Sequence, residues 1–198
     1  MDLQPKRTVA AGDSQVWQRV YETSQGGFAL NTTGLTTLAS TAVLKAGLPV
    51  GFDESTRTAR VVKIAVLHAN AANNATVYQV KKGHNFIIGE HMGATAGSAA
   101  YTITAIDTSN ADYDAITLGT TLGVALTAGT GLFQSAAAGG SAAAYIVTPK
   151  GLLYEDLSPS TDKTVSVVIR GTVYARRIPT VPTAIRALMP LIIFSESY

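Results

Sequence analysis

From Leu35 onward the chain is built from short segments rich in Val, Ile, Thr and aromatic residues, each closed by a cluster of Gly, Asn, Asp, Ser or Pro. That punctuation constrains the fold more than any other feature, because a long helix needs an unbroken 3.6-residue apolar stripe and a strand does not. Residues 59–70 begin with Val61, Lys63 and Ala65 alternating against Val62, Ile64 and Val66, and the second set is β-branched. Residues 75–80 repeat the theme after an Asn-rich turn at 70–74, Lys81-Lys82-Gly83-His84 punctuates, and a strand is expected to resume over 85–89. Tyr, Ile and Ala alternate with Thr, Thr and Ile over 101–107, and further strands are expected at 113–118 and 122–126. Residues 165–178 are the longest strand candidate, with Gly171 suggesting a bulge in the middle. Short strands with turn signals every eight to twelve residues predict an all-β chain, a small β-barrel or β-sandwich of short antiparallel strands.

The two ends read differently. Asp13-Ser14 can cap a short helix in which Val16, Trp17, Val20 and Tyr21 fall on one stripe, and the only Trp of the chain lies there. A turn-rich stretch at 24–34 then reads as a linker, so residues 1–34 are expected to form an N-terminal helix or arm and 35–198 one β-rich domain. The Trp17, Val20 and Tyr21 stripe either packs on its own domain or docks into another protein, since Trp and Tyr are enriched in binding hot spots. At the other end Pro179, Pro182 and Pro190 segment the tail. Thr183 can cap a helical turn at 183–189, and Leu191, Ile192, Ile193 and Phe194 form a last apolar strand that wants an edge or a subunit interface. The small-residue run at 135–144 suits either a loop packed on a neighbour or a mobile surface loop.

Composition narrows the function classes. Charged residues make up 14% of the chain, and 15 basic against 13 acidic residues leave a net charge of +2. Nucleic-acid binding needs a clustered basic face, whereas Lys6-Arg7, Lys81-Lys82 and Arg176-Arg177 are scattered pairs. With no cysteine there is no disulfide, thiolate nucleophile or Cys-type zinc site. No apolar run is long enough for a membrane helix, and the first residues lack the apolar core of a signal peptide.

The motifs that could carry chemistry have ordinary structural readings. Gly93 to Ser98 (GATAGS) lacks the Lys of a phosphate loop. Asp107, Asn110, Asp112 and Asp114 offer oxygens to a hard cation, but the Gly and Glu positions of a calcium loop hold Asp112 and Leu118, so a polar hairpin turn is expected. His68, His84 and His91 lack the spacing of a zinc site. The acidic pairs Asp53-Glu54 and Glu155-Asp156 read as solvated loop acids, and no serine sits in a nucleophile elbow. The expectation is a non-enzyme without cofactor or metal.

Four segments carry a resemblance: GLPVGFDESTRTARVVKIAVLHAN at 47–70, VKKGHNFIIGEHM at 80–92, YTITAIDTSNADYDAITLGTTLGVALTAG at 101–129, and VSVVIRGTVYARRIPTVPTAIRALMPLIIFSESY at 165–198. In strand-and-turn wording they resemble head fibre or capsid decoration proteins of tailed phages, especially those infecting gut Bacteroidales. There a segment like Lys82-Gly83-His84 precedes a strand and a Gly-acid turn, matched here by Gly89-Glu90. The resemblance runs from Gly47 to the end, about three quarters of the chain. It implies an all-β homo-oligomer, a dimer or trimer, made in the host cytoplasm and bound to the major capsid protein on the virion exterior, without nucleic-acid or membrane partners. Residues 1–34 are then the candidate capsid anchor and 191–194 the candidate oligomer interface. The alternative is a carbohydrate- or cell-surface-binding module, a receptor-binding fibre reading a host surface glycan, for which Tyr101, Tyr113 and Asp112 could supply a face.

Overall fold

The computed structural model describes residues 15–24, 27–35, 42–162 and 164–197. In chain order its strands begin with β1 (Trp17–Thr23), β2 (Phe28–Leu30), β3 (Pro49–Asp53), β4 (Thr58–Val61) and β5 (Ile64–Val66). β6 (Val77–Lys81), β7 (His91–Gly93), β8 (Ala100–Asp107), β9 (Tyr113–Leu118) and β10 (Gly131–Ser135) follow. β11 (Gly151–Leu153), β12 (Thr164–Val165), β13 (Val167–Tyr174) and β14 (Ile192–Ser195) complete the set. Among the described residues helix is confined to a 3₁₀ turn at Ala175–Arg177 and one α-turn, α1 (Thr183–Arg186), so the expected all-β class holds.

The strands divide into two sheets. The first runs β1-β13-β11-β3-β4-β2-β12, with β14 added in parallel along β13. Ser166 alone separates β12 from β13, so the path of paired strands bends back toward its start and encloses Val50, Val61, Leu152, Val165, Val167 and Val173. The second sheet runs β5-β10-β7-β8-β9-β6. A bridge between Leu67 and Val80, with the His68 N–H donating to the Gln79 carbonyl at 2.9 Å, returns β6 to the end of β5. Six antiparallel strands thus wrap a second core of Leu67, Tyr78, Val80, Met92, Ile103 and Ile116.

β5 and β10 form the wall between the two cores. Ile64, Val66 and Phe133 point into the first, whereas Ala65, Leu67 and Leu132 point into the second. This is the two-residue period of a strand buried on both faces, and it explains the near-continuous apolar run at 61–67. A slip of one residue would exchange the two sets between cores, which fixes the register.

Several expected elements differ. The predicted helix around Val16–Tyr21 is instead β1, antiparallel to β13 over Trp17 to Thr23; Asp13 and Ser14 lie outside the described residues. A lone helix this short is marginal in water, whereas β13 offers a ladder to the whole segment. The described part of the predicted 1–34 arm is therefore woven into the first sheet through β1 and β2. Residues 85–89 form no strand, because side chains capture their amides: Phe86 N–H donates to His84 Nδ1 (2.9 Å) and Ile87 N–H to Glu90 Oε2 (3.1 Å). Residues 122–126 pair only through Leu126, since Leu122 N–H is taken by the Tyr78 hydroxyl and Gly123 N–H by Thr121 Oγ1. The irregularity expected at Gly171 falls mainly on β1, whose register shifts flank the rung between Val20 and Gly171. A Cβ on Gly171 would lie 2.8 Å from the Arg19 carbonyl, so the missing side chain lets the bulged strand approach. At α1, Pro182 rather than Thr183 stands at the cap, with no side-chain hydrogen bond.

Candidate interaction surface

β13 brings the two candidate segments, far apart in sequence, onto its flanks. One rung runs Arg19–Thr172–Ile193 across β1, β13 and β14, and the neighbouring rung joins Trp17, Val173 and Phe194. Laterally paired residues share a face. The Trp17 rung faces inward, since Val173 is fully buried, and the Arg19 rung faces solvent.

The seven candidate residues therefore separate. Trp17 is core: its Nε1–H donates to the Tyr154 carbonyl at 2.6 Å and its ring stacks on Tyr154 with centroids 6.4 Å apart. Ile192 is also buried, while Val20 and Phe194 are half-buried, the latter with the Arg186 guanidinium 4.7 Å above its ring. Tyr21, Leu191 and Ile193 remain outside, at 55%, 54% and 61% exposure. The guanidinium groups of Arg19 and Arg170 sit 5.0 and 5.5 Å from the Tyr21 ring centre, giving a cationic aromatic patch on the solvent face. Beside β1 lies an open groove of about 980 Å³ between Trp17, Lys45, Tyr154, Asp156 and Arg177. Its Asp156 carboxylate is already occupied by the Ala46 amide and Lys45 Nζ, both at 2.8 Å.

Two buried polar clusters were invisible in the sequence. Lys63, 1% exposed, places its ammonium 2.8 Å from Glu90 Oε1 and donates to the Gly34 carbonyl at 2.9 Å. Glu90 also accepts from Gln134 Nε2 (2.7 Å) and Ile87 N–H (3.1 Å), so its carboxylate ties β10 and the 85–89 turn to Lys63, whose ammonium in turn holds the segment after β2. Burial holds the Lys63 ammonium below the usual lysine range, and the Glu90 charge opposes that shift. In the second cluster Asp114 receives Lys82 Nζ at 2.6 Å and stands 3.4 Å from His84 Nε2. Because His84 Nδ1 accepts the Phe86 amide, its neutral proton belongs on Nε2, facing Asp114. Burial lowers the His84 pKa, with Asp114 pulling the other way. No buried side-chain polar atom among the described residues lacks a partner, so both clusters are closed structural locks. The available signal was the position of Asp114 in phase with buried Ile116 and Leu118.

The remaining motifs take local roles. Asp107 and Asn110 accept the amides of Ser109 and Asp112 at 2.9 and 2.8 Å, which makes the acidic stretch the hairpin turn expected between β8 and β9. The 135–144 run folds onto its own chain, with Ala100 and Gly139 exchanging main-chain hydrogen bonds. His68 packs tilted against the Tyr113 ring, His84 meets Asp114, and His91 meets Thr102, so the histidines do not converge. Tyr101 packs toward the second core near the start of β8, whereas Asp112 and Tyr113 lie where the chain leaves the turn into β9, at the other end of the β8–β9 hairpin. Among the described residues no helix is long and apolar enough to cross a membrane, and no group of His, Asp and Glu is placed to hold a metal. Set against protein-family models, curated proteins and solved structures, the chain matches none.

Proposed function

We propose that this chain is a structural protein of a phage head, a head fibre or decoration protein that binds the major capsid protein on the virion exterior as a homo-oligomer. One observation carries this reading beyond the sequence resemblance: the sheet around β13 presents Tyr21 on one flank and Leu191 and Ile193 on the other. Exposed aromatic and aliphatic side chains on one sheet suit a protein that works by occupying surfaces. Its role is structural rather than enzymatic, and assembly takes place in the host cytoplasm. Low charge leaves neutral surfaces for packing against copies and capsid, and an oligomer touching several capsid subunits gains by effective concentration, so no single contact need be tight.

The capsid-facing element is the Tyr21 patch with Arg19 and Arg170. Trp17 contributes by holding β1 in place. A deletion of residues 1–34 would remove β1 and β2 from the first sheet, so the test uses smaller changes. Purified protein mixed with heads lacking it should co-sediment with them, and a Tyr21→Ser/Arg19→Ser variant should bind at least about tenfold more weakly, the scale of a hot-spot loss. Wild-type protein left in the supernatant at saturating concentration would overturn the proposal.

A further inference from the structure

We propose that β14 pairs with β14 of a second copy, antiparallel about a two-fold axis beside Phe194, so that the first sheet continues from one chain into the next. This rests on the homo-oligomeric reading above and adds to it the partner element and its register.

The main chain sets the geometry. The Gly171 N–H donates to the Leu191 carbonyl at 3.2 Å, and Gly171 and Val173 align with Ile192 and Phe194. In a parallel ladder alternate residues address the partner, so Leu191, Ile193 and Ser195 address β13 while Ile192 and Phe194 turn their main-chain groups outward. Among the described strands none pairs with that outer side. The Ile192 N–H turns back to the Met189 carbonyl at 3.0 Å. Phe194 is then the strand residue whose N–H and C=O both face outward. A two-fold axis beside it lets each Phe194 N–H donate to the Phe194 carbonyl of the other copy.

Side chains and charge agree. Natural sheet edges are shielded by Lys, Pro or bulges, yet residues 191–195 read Leu-Ile-Ile-Phe-Ser, with Ile193 and Leu191 more than half exposed. The two-fold axis sets each Ile193 beside Ser195 of the other copy and brings the two Ile193 side chains within diagonal reach. The nearest charges, Arg186 and Glu196, already pair within each chain at 3.2 Å. Arg170 stands three strand spacings from its counterpart, about 14 Å, beyond the screening length at physiological salt. No like charges are forced together, and the same patch serves both copies, as a two-fold interface requires.

The absence of cysteine makes a direct test available. In Ile193→Cys/Ser195→Cys the new thiols occupy a non-hydrogen-bonded antiparallel pair, with Cα atoms about 4.5 Å apart, close enough for a disulfide. Mild oxidation should convert this variant to a reductant-sensitive dimer, while Val77→Cys, 49% exposed on β6, should not cross-link under the same conditions. Light scattering should find an even number of copies in the wild type and a folded monomer in Ile193→Lys. An oligomer that survives Ile193→Lys and yields no cross-link overturns the β14 pairing and leaves the homo-oligomer reading standing. A wild-type monomer at high concentration overturns both.

Discussion

Lys63 carries an ammonium into a buried site, and its tolerance there depends on Glu90 and the Gly34 carbonyl. Removing one partner of a buried pair strands the other charge, which costs about 3–5 kcal/mol. Glu90→Ala should therefore lower unfolding free energy by about that much in urea titrations, and a loss under about 1 kcal/mol would show the pair to be well hydrated. His84 gives a second prediction, with sign fixed by linkage. Its folded pKa lies below the unfolded value of 6.5, so the unfolded chain binds more protons near that pH. Stability should be greatest above pH 6.5 and decline as the pH falls from there toward the folded pKa, below which this contribution levels off. Comparing urea midpoints at pH 7.5 and 5.5 should show the decline in wild type and a smaller one in His84→Gln; equal declines would remove His84 as the cause. Neither cluster was legible in the sequence, because Lys63 and Glu90 are 27 positions apart and Lys82 and Asp114 are 32 apart.

β1 is the element where local signal and tertiary context disagree. Its apolar spacing suits a helix, but the edge of β13 supplies backbone partners, and Trp17 gains a buried site against Tyr154. Strands such as β8 and β9 were legible because alternation and turn residues agree; β9 occupies the expected residues 113–118. Residues 85–89 and 122–126 were misread because His84, Glu90, Tyr78 and Thr121 capture amides, a competition that apolar pattern does not record. Gly171 follows from the same close approach. Gly171→Val would drive a side chain into the Arg19 carbonyl, and overpacking of this kind costs about 1–3 kcal/mol. Because Trp17 is the only Trp, its fluorescence reports the docking of β1 directly. The variant should unfold at lower urea with an altered native spectrum; an unchanged midpoint would mean that β1 yields without strain.

At the scale of the whole molecule, two β-cores share one wall and the first sheet presents Tyr21, Leu191 and Ile193 to solvent. The two end segments singled out in the sequence meet on the flanks of β13, and only folding showed which of their side chains turn outward. A strand alternates faces, so Trp17 and Ile192 became core, Val20 and Phe194 are half-buried, and Tyr21, Leu191 and Ile193 stayed outside. The low charge of the chain fits an assembly protein in this reading, with its few buried charges spent on locking turns to strands. Imaging of intact phage heads at a resolution that traces strands tests this account most directly. It predicts two-lobed density on the outer capsid surface, with the β1–β13 face toward the lattice and copies joined through β14. Heads that carry no density fitting this fold would contradict it.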